Sequence, residues 1–556
     1  VEFNLADLFE SVVDAIPDSC AVVAGPRRLT YAELDRRANR LAHRLIAGGI
    51  GTDDMVGVQL TNGSEYLETM LACFKVRAVP VNVNFRYTGT ELRHLYDDAG
   101  LVGLVHHRAF ADAVGSAIDA MAGPRVVLEV DDGSDGPLSP WAEDYEQALS
   151  GAGDERDFAA RSADDLYCVY TGGTTGMPKG VLWRHEDIFF AAMGGGDPMQ
   201  LGDVIDRPDH LADRLLRPGI VALPVPPFMH ASAHWLAFST FFGGGSLVLL
   251  PGGRFDPLTT WQLVVDERVN VLVVVGDAMA RPLLDVLEQS GGIDTSSLMA
   301  LGSGGAILSP STKARIAELL PGVIVADAFG SSETGQLGGS PPVGDPFGPP
   351  RLRVDERTAV FDEDLRPVEP GSWTIGQLAR GGRVPIGYRG DAARSAATFV
   401  EVDGRRWAMP GDLARVEADG TIIVLGRSSQ CINSGGEKIY AEEVEAALKG
   451  HPDVIDAVVV GAADERWGHR VVAVVEPRQG RDPSLSQLRD HARYVLAGYK
   501  LPRQLVLVDR MARLPSGKAD YGWARARVGD AGNPPETSAP AAPAGTTRVP
   551  DERVTP

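Results

Sequence analysis

Thr171-Gly-Gly-Thr-Thr-Gly-Met-Pro-Lys-Gly180 follows the apolar run Leu166-Tyr-Cys-Val-Tyr170. The run reads as a buried strand. The glycines after it permit a tight backbone that comes close to a ligand. Thr171, Thr174 and Thr175 supply hydroxyls, Gly173 and Gly176 leave backbone N–H groups open, and Lys179 adds a cation. Hydroxyls, oriented N–H groups and one positive charge suit a polyphosphate anion. The stretch is not a P-loop, because Pro178 precedes Lys179 and Gly180 follows it, where a P-loop needs Gly before and Ser or Thr after.

Working outward, strand-like and helical segments alternate. Thr30 and Glu33 have capping-box spacing. Leu34, Ala38, Leu41 and Leu45 then recur at helical period, and Gly48-Gly49 ends the run. Residues 55–60, 102–106, 125–130, 246–250, 269–275 and 323–328 read as strands, so the fold class is α/β. The character changes at Gly426/Arg427. A polar, glycine-bearing segment, 427–437, leads into a helix at 441–449 and strands at 454–460 and 470–475, a smaller α+β unit. The expected division is a large multi-subdomain α/β region at 1–426, a small mobile region at 427–528, and a disordered tail at 529–556. The tail is poor in large apolar residues and cannot bury enough surface to offset its ordering.

Bulk properties narrow the function. A chain of 556 residues exceeds one core. A net charge of −22 lacks the basic footprint of a nucleic-acid surface. Cys20, Cys73, Cys168 and Cys431 are scattered without metal-ligand spacing, which fits reduced core thiols and a cytoplasmic location. No signal-peptide pattern opens the chain, and no apolar run reaches the roughly 18 residues of a membrane span.

The glycine-rich stretch closely resembles the phosphate loop of the adenylate-forming enzymes, Tyr-Thr-Ser-Gly-Thr-Thr-Gly-x-Pro-Lys-Gly, with Gly172 in place of Ser. That family comprises acyl-CoA synthetases, peptide-synthetase adenylation domains and beetle luciferases. Further motifs follow in the family's order. Phe329-Gly330-Ser331-Ser332-Glu333 resembles its Tyr-Gly-x-Thr-Glu segment. The resemblance implies that Phe329 stacks on adenine, Ser332 reaches the α-phosphate and Glu333 holds Mg2+. Gly302-Ser-Gly-Gly-Ala306 is similar to the adenine-edge loop, which assigns Gly304, Gly305 and Ala306 to the nucleotide. Pro410-Gly-Asp412 is similar to Thr-Gly-Asp, whose aspartate takes the ribose diol.

The segment from Arg427 to Ile439 resembles the family's hinge and thiol-tunnel loop. There Arg427 stays near the nucleotide, while Gly435 and Gly436 let a pantetheine arm pass. Ser429 and Gln430 stand where the family has Lys-Asp, so the pivot falls on Gln430. Leu514-Pro-Ser-Gly-Lys518 resembles the segment carrying the catalytic lysine. Pro227-Phe-Met-His230 lies where the family has the histidine beside the acyl pocket. His234 follows at a spacing that could face the same way, without an evident third ligand for a metal.

The resemblance implies an enzyme that uses ATP and Mg2+ to activate a carboxylic acid as acyl-AMP and then forms a thioester with coenzyme A. Ser434-Gly-Gly-Glu-Lys-Ile439 and Tyr499-Lys-Leu-Pro-Arg503 are more similar to acyl-CoA synthetases than to peptide-synthetase modules. Val181–Asp187, Gly194–Gly196 and Val275–Met279 resemble a bacterial subgroup acting on steroid side-chain acids. Long-chain fatty acids and bulky steroid-like acids both remain open. So do transfer to a carrier-protein thiol, a silent nucleotide-binding scaffold, and monomer or homodimer.

Overall fold

The capping box forms as expected. Thr30 accepts from the Glu33 backbone N–H, Glu33 accepts from the Thr30 N–H, and the helix Tyr31–Ala47 runs from there to Gly48. The computed structural model describes residues 1–87, 89–172, 177–197, 204–250, 252, 255–306, 308–339, 351–352, 356–427, 430–434, 437–464, 466–514, 518–531 and 546–549. The apolar run before the glycine-rich stretch is the strand Leu166–Thr171. It pairs antiparallel with Lys179–Arg184, with Thr171 opposite Lys179. Gly387–Tyr388 adds to the far edge of this ribbon.

Two layered sheets flank a shared core. Val79–Asn82, Met55–Gln59, Leu101–His107, Val126–Val130 and Glu143–Asp144 form one, all parallel. The other has eight strands. Its parallel centre runs Cys20–Ala24, Ser246–Leu249, Val221–Pro224, Val271–Val274, Ala300–Gly304 and Ile324–Ser331, and antiparallel strands sit at both edges. The helices Leu5–Ala15, Tyr31–Ala47, Ser64–Lys75 and Ala231–Phe242 fill the space between the sheets with Phe9, Leu41, Phe74, Phe238 and their neighbours.

The helix after Val221–Pro224 packs into that shared core, whereas the helices Pro257–Asp266 and Gly276–Ser290 pack on the opposite face. The strand order therefore reverses between Val221–Pro224 and Val271–Val274. Open α/β sheets bind ligands outside the carboxyl ends of their strands at such a reversal.

A mostly antiparallel sheet follows, closing with Asp412–Val416 against Ile422–Arg427. The next sheet starts at Cys431 and centres on Val454–Asp464 paired with Gly468–Pro477. The helix Ala441–Lys449 covers one face and Tyr521–Ala531 the other. Here the structure corrects the tail expected from residue 529. The last helix reaches Ala531, anchored through buried Ala524 and Val528. Thr546–Val549 pairs parallel with Gln504–Val508, whose outer edge offers unpaired backbone groups to a β-branched segment.

Candidate functional site

The ribbon turns Lys179 toward the end of Ile324–Ser331. Lys179 Nζ lies 2.9 Å from Glu333 Oε1 and donates to the Tyr388 hydroxyl at 2.8 Å. That hydroxyl donates to the same Glu333 oxygen at 2.9 Å. Glu333 is buried. Burial alone would raise its carboxyl, but Lys179, Arg427 and the Tyr388 hydroxyl together hold it below the ordinary range. The backbone beside it is braced locally. Ser331 N–H donates to Thr334 Oγ1 at 3.0 Å, and Trp183 Nε1 donates to the Ser332 carbonyl at 2.9 Å. Gly330 crosses so close to its partner strand that a Cβ would stand 2.1 Å from the Gly335 carbonyl oxygen. Any side chain at 330 would push this strand off the site.

Gly304 ends the strand Ala300–Gly304, and Gly305 borders space with no atom within 4 Å of where its Cβ would be. Ser303 fixes the loop: its hydroxyl accepts from Gly276 N–H at 2.9 Å and donates to the Ala306 carbonyl at 2.6 Å. The loop and the Val275–Met279 segment are thereby joined at the carboxyl ends of their strands.

Asp412 and Arg427 face each other across the closing strands, Nε to Oδ1 at 3.2 Å. Burial and nearby Glu333 push the Asp412 carboxyl above its usual value despite Arg427. Lys518 comes from the C-terminal sheet's side and lies in the field of Glu333, Asp412 and Arg427. Its side chain is exposed to solvent, yet the surrounding protein and Arg427 lower its ammonium, with Glu333 and Asp412 opposing. Two carboxylates and three cations thus converge from positions as far apart as 179 and 518.

The two histidines have different surroundings. His230 is the N-cap of the helix Ala231–Phe242, half-buried. His234 lies inside the helix, bonded to the Tyr167 hydroxyl at 2.9 Å and the Tyr66 hydroxyl at 3.2 Å. Burial holds its imidazole down at about 3, so it is a neutral packing residue. Among the described residues no group of three or more His, Cys, Asp and Glu could hold a metal. Phe329 is half-buried in its strand, and Gln430 is buried and accepts from Arg525 at 3.1 Å. Gly173, Thr174, Thr175, Gly176, Ser429, Gly435 and Gly436 lie outside the described residues.

Sequence reasoning missed two contributors. Tyr388 completes the Lys179–Glu333 triangle. Asn82, buried at a strand end, accepts from Tyr170 N–H at 2.7 Å and donates to the Tyr170 and Met229 carbonyls at 2.8 and 2.7 Å. It ties the strand before the glycine-rich stretch to the His230 segment. The available signal was a lone amide ending the apolar strand Val79–Asn82.

Residues 9–384 match the AMP-binding enzyme family and residues 443–518 match the AMP-binding enzyme C-terminal domain. A 3-oxocholest-4-en-26-oate–CoA ligase of Rhodococcus rhodochrous is 46% identical over 95% of this chain and 96% of its own length. A medium/long-chain-fatty-acid–CoA/3-oxocholest-4-en-26-oate–CoA ligase of Mycobacterium marinum is 47% identical over 94% and 96%. A feruloyl-CoA synthase of an Amycolatopsis species is 33% identical over 92% and 96%. The fold matches a crystal structure of an anthranilate CoA ligase in complex with anthranoyl-AMP, with a TM-score of 0.81 at 21% identity over 95% and 98% of the two chains. With these matches spanning nearly the whole chain, the protein belongs to the AMP-binding enzyme family and is a CoA-ligase-class enzyme within it.

Proposed function

We propose that the protein ligates CoA to a bulky or long carboxylic acid, a steroid side-chain acid or a long-chain fatty acid, in two steps at one site in the cytoplasm. In the first, a carboxylate oxygen of the acid attacks the α-phosphorus of ATP, the bond to the β-phosphate oxygen breaks, and pyrophosphate leaves. In the second, the CoA sulfur attacks the acyl carbonyl and AMP departs with the bonding pair.

The observation that carries this reading is the convergence of Lys179, Glu333, Asp412, Arg427 and Lys518 on one crevice. Asp412 can accept two hydrogen bonds from a ribose diol, with Arg427 holding its charge. Lys179 supplies a cation for the β- and γ-phosphates. Lys518 faces the site where negative charge builds as carboxylate meets phosphate, and a fixed cation there lowers the barrier. Glu333 fits Mg2+: it is a buried hard-oxygen donor whose Oε1 partners, Lys179 and Tyr388, can turn toward phosphate instead. The ion would neutralise phosphate charge. The placement of Lys518 beside Glu333 and Asp412 supports the first step in this arrangement. Its removal by rotation of residues 427–528 about Gln430 would then open the thiol's path.

The names of the relatives at 46–47% identity support the acid classes. So does Gly304 at the end of its strand, which adds no side-chain bulk there. A panel of fatty, aromatic and steroid side-chain acids, assayed for AMP and thioester formation with ATP, Mg2+ and CoA, tests the reading. We expect AMP release to require acid and the steroid or long-chain members to lead. ADP in place of AMP with every acid would sink the chemistry. Thioester formed only on a carrier protein would replace CoA as the acceptor.

A further inference from the structure

The helix Gly276–Ser290 contains one buried cation, Arg281, which reaches out of its own sheet layer into the C-terminal region. Its Nη1 donates to the Val454 carbonyl at 3.2 Å and to the Ile455 carbonyl, and its Nη2 to the Lys449 carbonyl at 3.5 Å. Lys449 ends the helix Ala441–Lys449, so the guanidinium sits against the negative end of a helix dipole. The Ser311 hydroxyl donates to that same carbonyl at 3.4 Å.

On its home side the guanidinium is gripped equally well. Nε donates to Thr312 Oγ1 at 3.1 Å, Nη2 lies 3.1 Å from Asp277 Oδ2, and Ser309 Oγ accepts at 3.3 Å. Asp277 in turn accepts from Ser309 N–H at 2.9 Å, locking the starts of two helices together. The planar fork suits this two-sided task in a way a point charge does not.

The far side leads to the catalytic region through few residues. Ile455 is followed by Asp456, which is buried and paired with Lys449 at 3.3 Å and with Arg513. Arg513 pairs with Ala519 in an antiparallel bridge, and Leu514 N–H donates to the Lys518 carbonyl at 2.9 Å. The two ends of the segment carrying Lys518 are thus closed on each other, and the closure is pinned by Asp456, next to the carbonyl that Arg281 holds.

Resting on the two-step reading above, we propose that Arg281 is a positioning residue: it latches the C-terminal region onto the helix Gly276–Ser290 and so seats Lys518 for acyl-AMP formation. Because its acceptors across the boundary are all backbone carbonyls, the latch depends on where that backbone stands. It breaks as a unit when the region turns. Thioester formation, which needs Lys518 elsewhere, gains nothing from it.

The test is single-turnover measurement of both half-reactions in the wild type, Arg281→Gln and Arg281→Lys, starting from acid plus ATP and from supplied acyl-adenylate plus CoA. Arg281→Gln should slow acyl-AMP formation about 10–10²-fold, the cost of displacing a catalytic group by about 1 Å, and change thioester formation by less than about threefold. Arg281→Lys should fall between. In the Arg281→Gln background, Lys518→Ala should cost far less than in the wild type, because that lysine is already displaced. Cleavage by a protease within 427–440 should rise about tenfold as the latch opens.

Equal slowing of both half-reactions, or acyl-AMP formation within about threefold of wild type, would overturn the latch. If Arg281→Gln fails to fold, Arg281→Lys is read by the same criteria. If the wild type itself forms no acyl-AMP with any acid, the two-step reading fails and the protease result alone decides the latch: unchanged cleavage rejects it.

Discussion

Lys179 and Glu333 neutralise each other across 2.9 Å while the Tyr388 hydroxyl, bonded to both, closes the triangle. On the proposed reading, the cation that would meet phosphate and the carboxylate that would hold metal are paired with each other here. A buried carboxylate needs such a partner. On that reading a nucleotide would exchange one set of charges for another, with the Tyr388 hydroxyl in contact with both side chains.

Tyr388→Phe keeps the ring under Lys179, 4.1 Å from its Nζ, and removes only the hydroxyl. Hydrogen bonds to charged groups contribute about 1.5–3 kcal/mol. The expected result is an apparent KM for ATP raised about tenfold, equivalent to about 1.4 kcal/mol, with kcat little changed. ATP titration at saturating acid and Mg2+ reads this directly. An unchanged KM would mean that the hydroxyl only packs.

Lys518→Ala should slow acyl-AMP formation about 10²–10³-fold, the range for losing one preorganised charge-stabilising group. Thioester formation from supplied acyl-adenylate should suffer much less. Gln430→Pro should show the opposite pattern. Proline fixes φ and removes a backbone N–H, stiffening the point where the two regions join, while Lys518 stays seated. Rapid-quench separation of the half-reactions distinguishes the two variants, and equal slowing of both steps in either one contradicts the assigned division of labour.

Glu442 opens the helix Ala441–Lys449 and presses its carboxylate against Gly426, where φ is +127° and a Cβ would meet Glu442 Oε2 at 2.3 Å. Burial, aided by Glu445, pushes its carboxyl up to about 7 from an ordinary value of 4.5. The unfolded chain gives up this proton first. The stability conferred by the protonated form is therefore complete below about pH 4.5 and is lost as pH rises through about 7. Glu442→Gln stays neutral, so it should match the wild type at about pH 4, below the ordinary value of 4.5. At pH 8 it should exceed it by about 1–3 kcal/mol. Urea unfolding followed by C-terminal tryptophan fluorescence at both pH values tests this. Equal gaps at both pH values would remove Glu442 as the titrating group.

Lys75 is fully buried at the end of Ser64–Lys75, paired with Glu10 and, at 2.8 Å, with Asp35. Arg156 and Arg161 complete the cluster from outside. Lys75→Met leaves two carboxylates facing an apolar side chain and should cost about 3–5 kcal/mol, the range for breaking a buried pair from one side. Adding Asp35→Asn should recover part of it. Thermal unfolding of both variants measures the effect. A loss below about 1 kcal/mol would mean that the two arginines alone balance the site.

What the sequence revealed was local. Thr30 and Glu33 are three residues apart, and Leu166–Tyr170 announces its strand by composition. Each motif that carries the family resemblance is a short word that the chain spells out in order. What it concealed was made by pairing across long separations. Tyr388 lies 209 residues from Lys179 and meets it only because Gly387–Tyr388 joins the ribbon's edge. Arg281 reaches a carbonyl 174 residues away. The partners of His234 were likewise out of reach of the sequence: two tyrosine hydroxyls from other elements hold it. The end of the chain looked too polar to order, and an open sheet edge recruited part of it.

The pairing of Thr171 with Lys179 also dictates how this protein can change over generations. The stretch from Gly172 to Pro178 is held at both ends by the ladder of Leu166–Thr171 and Lys179–Arg184. A codon lost from that stretch cannot be absorbed by sliding one strand along the other. A one-residue slip would turn Lys179 to the opposite side of the ribbon, away from Glu333, and carry buried Val181 and Trp183 out of the core with it. Single-residue deletions here should therefore cost more activity than substitutions that keep the length of the stretch.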